Sequence, residues 1–157
     1  MSTVFNRTRV SESALFNPCD TTEKVKDFPV VCVSTFSENI IQKFASLRET
    51  EKIAELYTAN GITPVYKIRY GGHDIAFYQS RVGAPACVSG FEEIIAMGAE
   101  QFVLFGSCGV LDDEKVRKRI IVPVAAVRDE GTSYHYAVPS EEIETDPEQV
   151  RILKNVL

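Results

Sequence analysis

The sequence predicts an α/β fold, with a mixed, largely parallel central sheet and helices on both faces. Three observations predict it. Short apolar runs at 30–33 and 101–105 read as buried strands; segments of helical periodicity alternate with them; and two strand-like runs around a Gly-Gly pair bring antiparallel pairing into the sheet. At 157 residues, 45% hydrophobic and 25% charged, the chain is sized for one domain with its own core, spanning 1–157.

Residues 1–28 are polar, contain Asn17-Pro18 and hold no consistent face, so they read as an arm laid over the domain or a neighbour. Val30-Val31-Cys32-Val33 is the first strand, ending in the small polar loop Ser34-Thr35-Phe36-Ser37. Ser37 is placed to N-cap a helix, and Ile40, Ile41, Phe44, Leu47, Ile53, Leu56 and Tyr57 recur at helical intervals as far as the stop signal Asn60-Gly61. Runs at 64–70 and 75–79, separated by Gly71-Gly72-His73-Asp74, form a hairpin. A helix over 86–97 follows the loop Arg81-Val82-Gly83-Ala84-Pro85, with Val88, Phe91, Ile94 and Ile95 on one face and Gly98 closing it. Residues 101–105 form a central strand by their apolar character, broken at Gly106-Ser107-Cys108-Gly109. Residues 119–127 form a further strand, with Pro123 marking an edge or bulge. Asp146-Pro147-Glu148 opens a last helix carrying Val150, Leu153, Val156 and Leu157 at helical spacing.

Seventeen basic against 22 acidic residues, with a net charge of −5 and no long block of either sign, argue against nucleic acid as a partner. Cys19, Cys32, Cys87 and Cys108 form no C-x-x-C pair and read as reduced thiols. No apolar segment reaches the roughly 20 residues of a membrane span, and the expected location is cytoplasmic, with no membrane partner.

In open α/β sheets ligands collect at the carboxyl ends of strands, which selects the loops at 34–37, 81–85 and 106–109. Small residues there let backbone N–H groups approach an anion; Ser34, Ser37 and Ser107 add hydroxyls and Arg81 a forked cation, together sketching a phosphate site. His135 reads as a packed or interface residue, His73 as solvated in a hairpin turn, Arg128-Asp129-Glu130 as a salt-bridged loop, and Cys108 as a small thiol without a base beside it. Nothing in the sequence asks for a metal.

The order and spacing of Ser80-Arg81-Val82-Gly83-Ala84-Pro85, Glu92-Glu93, Gly98-Ala99, Phe102-Val103-Leu104-Phe105-Gly106-Ser107-Cys108-Gly109 and Arg128-Asp129-Glu130-Gly131-Thr132-Ser133-Tyr134-His135-Tyr136 carry a resemblance. Residues 31–136 resemble the N-terminal part of the purine and uridine phosphorylase superfamily, nearest to its uridine phosphorylase-like branch. The resemblance implies phosphate-dependent cleavage of a nucleoside's N-glycosidic bond, giving free base and pentose 1-phosphate, with no cofactor beyond phosphate as co-substrate. It further implies phosphate contacts from Ser34, Arg81 and Ser107, nucleoside contacts from Cys108 and Gly109, and a homo-oligomer. The uridine-specific members have glycine at the position of Arg81 and an arginine at that of Leu104, and the first loop, Ser34 to Ser37, is closer to the serine-bearing loop of the purine enzymes. The family's ribose-binding methionine-glutamate segment lies downstream of Leu157, so the chain is expected to be a fragment lacking the C-terminal part or to complete its fold with a partner. The alternative is a truncated, non-catalytic nucleoside- or phosphate-binding domain.

Overall fold

A computed structural model describes residues 14–157, and the first part of the expected arm, residues 1–13, lies outside the described residues. Two compact units divide the chain, one holding residues 14–107 and the other residues 108–157.

The first unit is built on a five-stranded sheet in the order β2-β3-β4-β1-β5, made of β1 (Val31–Thr35), β2 (Glu51–Thr58), β3 (Gly61–Tyr70), β4 (His73–Gln79) and β5 (Gln101–Phe105). The expected mixed sheet is present. β1 pairs in parallel with β4 on one side and β5 on the other, and β2, β3 and β4 form an antiparallel meander. The helices α1 (Glu38–Ala45) and α2 (Ala84–Met97) lie on opposite faces. Side-chain alternation on β4 shows why. Phe77 meets Phe44 of α1 edge-on at 6.3 Å and stacks on Tyr66 at 5.3 Å. Its neighbours Ala76 and Tyr78 point the other way, into the core formed with Cys32, Leu56, Val65, Ile94 and Met97. Phe91 of α2 meets Phe102 of β5 at 5.1 Å on that same face.

The arm expected up to residue 28 is tied down at its end, where Phe28 is buried in the core and the Val25 N–H donates to the Met97 carbonyl at 3.0 Å. The long helix expected up to Asn60 is corrected. It ends at Ala45, and residues 51–58 are β2, because Ala54 and Leu56 alternate onto the core face, a register shift at Ile53 lets that side chain pack there too, and β3 pairs with the strand on both sides of the shift. Asn60-Gly61 accordingly closes a two-residue hairpin, Thr58 pairing with Gly61, and does not stop a helix. The hairpin between β3 and β4 has the expected place, with Gly71 and Gly72 at φ +57° and +86° in the left-handed region. On α2, Ile94 is buried as expected but Ile95 is exposed. β5 closes one side of the sheet among the described residues, where a central strand was expected. Its apolar run signals burial, yet only β1 pairs with it, and Val103, Leu104 and Phe105 remain 44% exposed.

The unit of residues 108–157 holds α3 (Asp113–Val116), a two-stranded antiparallel ribbon of β6 (Ala125–Val127) and β7 (Glu142–Glu144), and α4 (Pro147–Val156). The strand expected over 119–127 shrinks to its last three residues, since Pro123 has no N–H to give to a ladder. The last helix starts as expected, with the Asp146 carboxylate accepting from the N–H groups of Glu148 at 2.8 Å and Gln149 at 3.4 Å. Val150 is buried, while Leu153, Val156 and Leu157 are exposed.

Candidate functional site

Parallel register brings three strand ends of the first unit to one level, because Thr35 lies opposite both Gln79 and Phe105. The loops after β1, β4 and β5 therefore leave the same edge of the sheet, where the rule for open sheets puts a ligand. Two further contacts knit that edge. The Ser80 N–H donates to the Thr35 carbonyl at 3.0 Å, extending the ladder by one residue. A methyl group on Gly106 would come within 3.1 Å of the Phe36 ring, so the turn after β5 packs closely on the loop after β1, and a side chain at 106 would require that ring to give way.

Ser34 is 1% exposed, and its hydroxyl oxygen accepts from the Ser80 hydroxyl at 3.0 Å. It belongs to the floor of the edge. Ser107 is exposed at the end of the β5 turn. Arg81 turns the other way. Its guanidinium donates to the Gly61 carbonyl at 2.9 Å, to the Thr63 hydroxyl at 3.0 Å and to the Thr58 hydroxyl, so it grips the β2–β3 hairpin. Three inter-strand steps, about 14 Å, separate β3 from β5. The structure thus brings Ser34 together with Ser80 and holds Arg81 on the far side of β4 from the β5 turn. Cys108 and Gly109 open the second unit and are exposed.

Sequence reasoning missed Ser80, Thr58 and Thr63. Ser80 had a signal, being a small hydroxyl directly after a strand. The threonines had none while residues 51–60 were read as helix, since only the hairpin brings them beside each other. Burial pushes up the Tyr78 phenol and the Cys87 thiol, and the Glu93 carboxyl is raised by burial against the opposing pull of Arg81.

In the second unit the salt-bridged loop expected at Arg128-Asp129-Glu130 is corrected. Arg128 is 5% exposed and donates to the hydroxyls of Ser133 and Ser140, both at 2.9 Å, and to the carbonyls of Ala137 and Val138, with Tyr134 stacked 4.4 Å from it. Glu130 accepts from the N–H groups of Thr132 and Ser133, capping the 3₁₀ turn Thr132–His135. His135 is exposed there and not packed, and His73 is exposed at the start of β4. Among the described residues no group of three or more His, Cys, Asp and Glu is placed to hold a metal ion, and no helix is long and apolar enough to cross a membrane.

The model of the phosphorylase superfamily matches residues 30–157. A guanosine phosphorylase of Halorubrum lacusprofundi is 29% identical over 83 residues, which cover 53% of this chain and 34% of that protein. A uridine phosphorylase of Treponema pallidum is 30% identical over 104 residues, covering 64% of this chain and 36% of that protein. The chain thus spans about a third of the length of these relatives. Among solved structures, a uridine phosphorylase from Vibrio fischeri complexed with 6-hydroxy-1-naphthoic acid superposes with a TM-score of 0.67 at 21% identity, over 85% of this chain and 57% of that one. A purine nucleoside phosphorylase from Toxoplasma gondii in complex with immucillin-H gives 0.62 at 19% identity, over 87% and 52%.

Proposed function

The chain belongs to the phosphorylase superfamily, and from that premise we propose that it acts in the phosphate-dependent cleavage of the N-glycosidic bond of a nucleoside. A phosphate oxygen forms the new bond to the anomeric carbon, the bond to the base breaks, and the electron pair leaves with the base, which takes up a proton. The products are free base and pentose 1-phosphate, and phosphate is the co-substrate with no further cofactor. Charge develops on an oxocarbenium-like sugar, so a phosphate held at a sheet edge by backbone N–H groups and small hydroxyls both stabilises that charge and attacks it.

The observation that carries this reading is the common level of the β1, β4 and β5 ends, with the Ser34–Ser80 pair beneath them and the Gly106–Ser107 turn beside Phe36. Ser34 and Ser107 are the proposed hydroxyls of the phosphate edge. Arg81 joins them on release from the hairpin that it grips in this structure. The same reading makes the protein a cytoplasmic homo-oligomer.

A second reading, a phosphate- or nucleoside-binding domain without turnover, is favoured by Leu104, an apolar side chain where the resembling uridine enzymes carry an arginine. Calorimetric titration with phosphate and with uridine, guanosine, inosine and adenosine, beside assays of base release from the same four nucleosides in phosphate and in phosphate-free buffer, separates the two. Base release that requires phosphate supports the enzyme, and phosphate binding without base release supports the second reading. Release in phosphate-free buffer identifies a hydrolase, absence of phosphate binding sinks the phosphorylase reading, and absence of binding to both phosphate and the four nucleosides sinks the second as well. An equal phosphate response from wild type and Arg81→Ala removes Arg81 from the site.

A further inference from the structure

Tyr78 is the largest fully buried side chain of the first unit, 1% exposed, and its phenol oxygen has no hydrogen-bond partner among the described residues. The hydroxyls of Ser34 and Ser80 lie near enough to act on it, and their mutual bond at 3.0 Å spends the Ser80 proton, so only the Ser34 proton competes with a water for Tyr78 Oη. A buried hydroxyl left unpaired carries its full desolvation cost, so native structures seldom tolerate one. Beside it, between β4, the β2–β3 hairpin and α2, lies a chamber of ≈ 10 Å³ lined by Tyr78 and, among its polar residues, by Thr58, Thr63, Gln79, Arg81, Ser89 and Glu93. That room is about one water sphere, far below what a phosphate or a sugar would need.

We propose that this chamber is a binding site for a single ordered water molecule, which hydrogen-bonds Tyr78 Oη and joins β4 to the polar wall of α2 and the hairpin. A buried water makes about three hydrogen bonds. Tyr78 supplies one, and the wall offers others. The Ser89 hydroxyl spends its proton on the Ala86 carbonyl at 3.1 Å and keeps its lone pairs, and the Glu93 carboxylate is an acceptor. Gly90 leaves the space open. An ideal methyl there would sit 3.5 Å from Tyr78 Oη and 3.7 Å from Leu56 Cδ1, a fit without collision that takes the place of the water. This inference stands apart from the phosphorylase reading and survives its failure.

Three measurements test it on the whole chain. A high-resolution crystal structure of the wild type is expected to show a density peak about 2.5–3.0 Å from Tyr78 Oη. Tyr78→Phe is expected to lower Tm, because without the phenol the water leaves and its other partners lose their bonds to it. Gly90→Ala is expected to raise Tm less in the wild type, where it expels the water, than in the Tyr78→Phe background, where helix propensity acts alone. The crystal structure decides, since it needs no variant to fold. Absence of the peak, or a Tyr78 hydroxyl turned onto Ser34 or Ser80, overturns the proposal, as do a neutral Tyr78→Phe and simple addition of the two changes.

Discussion

A guanidinium group organises the segment after β6. Arg128 is nearly buried, yet it donates to neutral hydroxyls and carbonyls, so its value lies in filling a set of acceptors that the loop folds around it. Its planar fork spreads five donors over four acceptors, whereas an ammonium group is a compact point charge with three. Arg128→Ala is expected to destabilise the unit of residues 108–157 by about 3 kcal/mol, since part-buried carbonyls lose their donors together. Arg128→Lys should recover little of that loss in urea titrations followed by circular dichroism. Glu130 gives a pH effect in the same loop. Hydrogen bonds from Ser133, with help from Thr132, hold its carboxyl below the ordinary value of 4.5. A carboxyl depressed on folding contributes stability that is present above its unfolded pKa and disappears as pH falls through the lower folded value. The protection of the Thr132 and Ser133 amides, taken relative to unprotected exchange at the same pH, should therefore fall on acidification below 4.5, and Glu130→Gln should flatten that dependence.

Elements reveal which local signals survive tertiary context. The β3–β4 hairpin was legible because Gly71 and Gly72 both take positive φ, a demand that few other residues meet. Gly72→Ala should cost on the order of 1 kcal/mol in thermal unfolding, whereas Gly71→Asn should be tolerated better. The start of α4 was legible for a similar reason, since Asp146 accepts two of the N–H groups that every helix leaves open. Asp146→Ala should remove about 1 kcal/mol, read as faster exchange in the first turn of α4. β2 was not legible. Its Ile53, Leu56 and Tyr57 keep helical spacing, and the strand pattern of Ala54 and Leu56 is masked by the register shift at Ile53, so the choice is made by β3, which lies across a turn that also suits a helix end. The 3₁₀ turn Thr132–His135 and β7 were missed because each is only a few residues long, the turn held by the side chains of Arg128 and Glu130 and β7 by its pairing with the sequence-distant β6.

For the molecule as a whole, the candidate site was legible as an edge but not as a set of contacts. Small residues after β1, β4 and β5 announced where ligands gather, and parallel register does level those ends. What the pattern of small residues could not carry is the direction of a long side chain. Arg81 is shared between the edge to which its sequence position assigns it and the hairpin that its guanidinium grips, and only the three-dimensional path of β2 and β3 distinguishes them. The four thiols extend the picture of the whole. Cys32 lies fully buried in the core with its thiol pushed up to about 12 by desolvation, whereas Cys19 and Cys108 are exposed. Since the thiolate is the reactive form, a maleimide dye should tag Cys19 and Cys108 promptly, Cys87 more slowly, and Cys32 only when the core opens. Mass spectrometry of the Cys32 peptide against time then makes that residue a built-in stopwatch for opening of the sheet. Tagging of Cys32 as fast as that of Cys108 would mean that the core is not closed.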